Sequence, residues 1–148
     1  MSKNRIHNIG PFQHEEAKAN SALIYPGYLL QLDSNGEVLP HDTEGGVAEA
    51  LFAAEDALQG RTVDIIYADD SIVTYHLPGK GSVVNAMIES GEDISIGDAL
   101  MSAGNGKLKE VHPDSALAND YYVVGFAVEE VDCGGSTPAD ALCAVRVI

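Results

Sequence analysis

Tryptophan is absent from this sequence, and aromatic residues make up only 6% of it. A core built without large rings has to come from Val, Ile, Leu and Ala. A carbohydrate- or receptor-binding module is disfavoured for the same reason, because sugar sites usually stack on Trp or Tyr. Basic residues are scarce as well: 8 Lys and Arg stand against 23 Asp and Glu, a formal net charge of −15. Phosphate backbones and anionic lipids repel such a surface, so neither nucleic acid nor a membrane is expected as a partner. No run approaches the roughly 20 apolar residues of a membrane helix. The opening MSKNRIHNIG lacks a hydrophobic signal core, and a soluble product made in the cytosol is expected. Only two cysteines occur, Cys133 and Cys143, on either side of a loop containing GGSTP. They could close that loop if oxidised, but in a cytosolic chain two free, partly buried thiols are expected, and no CxxC or Cys/His spacing calls for metal.

Catalytic motifs are missing too. The sequence has no GxSxG elbow, Walker loop, GxGxxG turn or HExxH pair. GKGS at residues 79–82 lacks the first glycine and the following helix of a phosphate loop, and reads as a turn between strands. His41 and His112 each precede an aspartate, Asp42 and Asp114. If their two surroundings packed together they could hold a divalent metal, since imidazole and carboxylate are ordinary ligands. That would serve a small acidic metal-dependent hydrolase or lyase on a β-clip-like fold. The carboxylate pairs Glu15-Glu16, Asp69-Asp70 and Glu129-Glu130 lack the calcium-loop pattern and read as solvated faces. No cofactor is called for.

What the sequence does contain is a repeat. Residues 92–111, EDISIGDALMSAGNGKLKEV, match IYPGYLLQLDSNGEVLPH, residues 24–41, at an offset of 70. Gly27 falls on Gly97, Leu30 on Leu100, and Asn35-Gly36 on Asn105-Gly106. An Asn-Gly pair between alternating apolar runs is a strong hairpin signal, because both residues accept positive φ. The tails Phe52-Ala53-Ala54-Glu55 and Phe126-Ala127-Val128-Glu129 also match, four residues further out of step. Two copies are too few for a solenoid. Two related hairpin units packed about an approximate twofold are expected.

With 148 residues, 45% hydrophobic and 21% charged, the chain fits a single globular domain. Residues 1–20 stand apart. Lys3, Arg5 and Lys18 lie here, and Ile6, Ile9 and Phe12 recur around Gly10-Pro11, which argues against a helix. This segment reads as an extended N-terminal arm, with residues 21–148 as one β domain. Strands are expected near residues 28–32, 37–40, 50–55, 72–77, 83–88, 121–131 and 142–148, besides those of the second hairpin. A helical turn is placed after residue 55, a loop at 112–120, and an insert without counterpart at 60–87. About ten short strands make an all-β fold, a small β-barrel or β-tulip-like domain.

In order, PGYLLQLDSNGEVLPH, ALFAAEDALQGRTVDIIY, VVNAMIESGEDISIGDALMSAGNGKLKEV and VVGFAVEEVD resemble the head decoration, or cement, proteins of tailed bacteriophages. The resemblance spans residues 23–148. It implies a structural virion protein rather than an enzyme, made in the host cytoplasm and placed on the capsid exterior. It also implies a homotrimer clamping neighbouring major capsid subunits, often through a terminal arm. Arg5, Ile6, Ile9, Pro11 and Phe12 are then the expected interface residues.

Overall fold

The computed structural model describes residues 3–21, 23–112 and 121–148. Its strands are β1 (His7–Ile9), β2 (Phe12–Lys18), β3 (Leu30–Leu32), β4 (Val38–Pro40), β5 (Phe52–Ala53), β6 (Ile72–Pro78), β7 (Val83–Ile88), β8 (Asp93–Ile94), β9 (Ala99–Ser102), β10 (Leu108–Glu110), β11 (Gly125–Ala127), β12 (Val131–Asp132) and β13 (Ala141–Val147). A 3-10 turn, Ala57–Gln59, follows β5. The fold is all-β, as the short alternating runs predicted.

The strands close into two five-membered rings. In the second, β7 pairs with β13 over six residues, β13 with β11, β11 with β9 and β9 with β10, and β10 returns to β7 in parallel at Leu108 and Ile88. In the first, β2 pairs with β6 along its whole length and β6 with β5. The chain beside β3 meets β5 at Leu29 and Phe52, β3 pairs with β4, and Val38 of β4 bridges Ala19 in parallel just beyond β2. The two rings have the same strand order and the same register. His14 opposite His76 corresponds to Val83 opposite Arg146, and Ala53 opposite Tyr75 to Ala127 opposite Val145.

The duplication therefore extends beyond the two hairpins to the other strands of both rings. β6 and β7 have counterparts in β13 and β2, so residues 60–87 are not the unmatched insert that the sequence suggested. The two hairpins belong to separate barrels and do not close one barrel between them. Equivalent inward positions carry similar side chains: Ile24 and Ile94, Leu30 and Leu100, Val38 and Leu108, and Ala53 and Ala127 are all buried. Backbone bonds repeat as well, with Gly27 N donating to Ala53 O and Gly97 N to Ala127 O, both at 2.8 Å.

The barrels meet along a one-sided seam. Leu29 N donates to Gly106 O at 2.7 Å, Gly106 N to His41 O at 3.0 Å, and Met87 N to Gly27 O at 2.9 Å. Leu29 and Phe52 come from the first barrel, yet both are fully buried in the apolar cluster of the second. Burying a side chain such as Phe52 contributes about 2–3 kcal/mol. A twofold would demand the reciprocal contacts. They are not made: a Cβ on Gly27 would lie 2.5 Å from Leu142 Cδ2 across the seam, whereas one on the equivalent Gly97 would meet nothing within 4 Å. The relation between the halves is head to tail, which corrects the expected twofold.

Candidate functional site

Residues 3–20 do not form the expected extended arm. β2 is a stave of the first barrel, and β1 pairs antiparallel with β7 of the second. Between them the segment ties the barrels together. Ile6 N donates to Glu55 Oε2 of the first barrel at 3.0 Å, and Ile6 O accepts from Asn85 N of the second at 2.7 Å. Ile6 is fully buried in the second barrel's core and cannot act as an anchor for another subunit. Its spacing to Ile9 and Phe12 gave no hint of this, because spacing does not say which apolar residue turns inward.

The other expected interface residues remain at the surface. Arg5 is exposed, with its carbonyl accepting from Asn85 Nδ2 at 2.7 Å. Pro11 offers its carbonyl to Gly79 N and to Ser82 Oγ, which pins the loop between the barrels. Ile9 is largely exposed opposite Val83. Phe12 lies against His7, with ring centroids 3.9 Å apart, and edge-on to His76 at 4.6 Å.

Phe12, His14 and Glu16 alternate along β2 and so share one side of it. With Thr74 and His76 of β6 and the turn after β5, they line an open groove of about 270 Å³. His76 is the perturbed group here. Burial, and then the neighbouring imidazoles of His7 and His14, lower its pKa from 6.5 to about 4. Its Nδ1 is buried and has no hydrogen-bond partner. Next to it, burial and a hydrogen bond donated to Glu15 Oε2 at 2.9 Å push the Tyr75 hydroxyl up to about 12. A neutral imidazole, the Phe12 ring and the exposed Leu58 give the groove a largely apolar lining.

His41 and His112, the pair that the hydrolase alternative would use for metal, have separate surroundings. His41 is buried in the seam, where Nδ1 contacts Ser102 Oγ at 2.7 Å and Nε2 contacts Val47 O at 3.1 Å, so both ring nitrogens are already engaged. His112 lies at the surface beside Glu92 and Glu110, with one ligand atom from each within 4.8 Å of the others. Glu92 Oε2 also accepts from Glu110 N at 3.1 Å, which gives this carboxylate a structural task. Asp114 falls outside the described residues.

The carboxylate pairs are likewise occupied with the fold. Asp69 accepts from Asp70 N, and Asp70 pairs with Lys18 at 2.9 Å. Glu129 accepts from Ala144 N at 2.8 Å and meets Lys3 at 2.6 Å. Both cysteines are free and buried.

No protein-family model matches the chain, and no curated protein matches it. Among solved structures, the crystal structure of the head fiber gp8.5 N base in bacteriophage phi29 is similar, with a TM-score of 0.50 and 14% identity, covering 93% of this chain and 98% of that one. At this identity the likeness concerns the fold, and it extends over both barrels.

Proposed function

We propose that this chain is a structural protein of a tailed-bacteriophage virion, placed on the outside of the head as a decoration or cement protein. In this reading it clamps neighbouring major capsid subunits and works as a homotrimer. The observation that carries the proposal is the likeness of nearly the whole fold to a protein named for the phage head. The four ordered sequence segments quoted above support it independently, since they span the same two barrels.

The physical character of the surface agrees with this role. Ile9, Pro11 and Phe12 form an exposed apolar knuckle at the junction of the barrels, tied down by Gly79 and Ser82. A preformed knuckle binds without the ordering cost that a flexible arm would meet. Several such contacts from one oligomer add avidity on a lattice of capsid subunits. The hydrolase alternative loses its first ligand, because His41 is occupied by Ser102 and Val47.

The test is saturable binding of the purified protein to expanded, undecorated shells assembled from the major capsid protein of the same genome. Binding at fixed stoichiometry, with raised resistance of the shells to thermal rupture, is expected. Absence of binding to expanded shells would overturn the proposal. Phe12→Asp should weaken attachment, since the substitution places a charge in the knuckle.

A further inference from the structure

The one-sided seam leaves two surfaces without partners. In the first barrel the chain from Pro26 to Leu29 is buried, while Ile96, Gly97, Asp98 and Ala99, the same positions of the second barrel, are partly or fully open. Phe52 is fully buried in the seam, but its counterpart Phe126 is 40% exposed, and Ile96 is 70% exposed. This face of the second barrel is built like a seam face and has nothing against it among the described residues.

The opposite surface tells the same story in reverse. On the second barrel Ser102, Gly106 and Leu142 pack against the first. Their counterparts on the first barrel are Leu32, Gly36 and Ile72. Leu32 is 46% exposed and Ile72 57%, and a Cβ on Gly36 would meet nothing within 4 Å. Each chain thus carries one used seam and the two unused halves of another.

We propose that copies of this chain join head to tail, the open face of the second barrel in one copy seating on the open face of the first barrel in the next. The occupant is a second copy because the two faces are already mates by descent within the chain. Substitutions at the seam positions fit the pairing. His41 and Ser102 form a buried polar pair inside the chain, and Val111 and Leu32 stand in their places at the joint between copies, an apolar pair. Met87, packed on the core that holds Tyr28, is replaced by Lys18, and Tyr28 by Asp98, which brings opposite charges together. A contact between two different faces closes into a ring when its rotation allows and otherwise grows into a filament. Alternating internal seams and joints between copies would give either assembly near-equivalent barrel spacing. The inference stands on the duplication and does not depend on the virion reading, since it is measured on the purified chain without shells.

The test uses Ile96→Asp on one face and Ile72→Asp on the other, with masses from native mass spectrometry and light scattering. Both side chains are mostly exposed, so circular dichroism should match the unsubstituted protein. Phe126→Asp and Leu32→Asp serve as a second pair should either variant misfold. The unsubstituted chain is expected as a multimer and each variant as a monomer. Mixing the two variants should give a species of twice the chain mass, because one intact face of each kind remains. A monomeric unsubstituted chain, variants of unchanged mass, or a mixture that stays monomeric would each overturn the proposal.

Discussion

Replacing His76 by Phe should stabilise the protein and flatten its response to acid. His76 is only 9% exposed, between Phe12 and β5, and its Nδ1 has no partner. A buried polar atom without a hydrogen bond costs about 1–3 kcal/mol. Its pKa falls from 6.5 to about 4. The unfolded chain therefore takes up this proton as pH drops through about 6.5, and the folded chain does so only near the lower value. Stability is full above 6.5 and is lost as pH falls toward 4. The fall corresponds to about 3 kcal/mol between protonation states, which water reaching the ring edge screens to about 2 kcal/mol. His7, His14, Glu55 and Asp56 also face this region and are common to both proteins, so a comparison at each pH isolates residue 76. Urea unfolding followed by far-UV circular dichroism suits a chain without tryptophan. His76→Phe should be more stable by about 1 kcal/mol at neutral pH, and the gap should widen by about 2 kcal/mol near pH 4.5. A gap of constant size across that range would refute the assignment of a buried neutral imidazole.

Two further tests separate the seam and the core. Gly27 and Gly97 both sit at positive φ, +90° and +92°, so Ala at either position meets strain of about 1–2 kcal/mol. Only Gly27→Ala must also displace Leu142, at 2.5 Å, and crowd Asn85 O, at 3.2 Å. It should cost at least about 1 kcal/mol more than Gly97→Ala, compared by thermal melting in the Ile72→Asp background; equal losses would remove the one-sided seam. Burial raises the pKa of both thiols, that of Cys143 to about 12, so almost no thiolate is present near pH 8. Both should resist a disulfide reagent in the native protein and react after guanidinium unfolding, and prompt native labelling of either would contradict their burial.

The strand-and-turn pattern was legible because it rests on local chemistry. Gly36 and Gly106 take the positive φ of the turns that the Asn-Gly pairs marked, and residues 72–77 alternate as expected, with Val73 and Tyr75 buried and Ile72 exposed. The 3-10 turn after residue 55 was also foreseen at a segment rich in Ala and Leu, where propensity and strand pattern compete. The extent of the duplication was not legible. The offset between equivalent residues is 69 at β2 and β7, then 70, then 74 at β5 and β11, and again 70 at β6 and β13. No single shift aligns the halves. The pair β6 and β13 shares only its period: Val73 and Tyr75 fall on Cys143 and Val145, residues alike in burial and different in identity.

The same reasoning explains why the seam, and with it the fate of the N-terminal segment, could not be read in advance. A seam between two copies of one fold selects for different side chains at equivalent positions, because each copy offers a different face. Tyr28 and Asp98, Pro26 and Ile96, and His41 and Val111 differ where one member is covered and the other is not. To a reader of the sequence these differences weaken the repeat, although they are its consequence. Ile6 joins the core only because the seam brings Glu55 and Asn85 to either side of its peptide group. Those partners lie 49 and 79 residues away along the chain, and no local pattern carries that information. Positions where the two copies disagree in polarity while agreeing in register are therefore the ones to inspect first for contacts between barrels. By that criterion Lys18 opposite Asp98 is the pair most sensitive to charge reversal: Lys18→Glu alone should weaken head-to-tail association, and Lys18→Glu combined with Asp98→Lys should restore it. A double variant no better associated than the single one would show that these two residues do not meet.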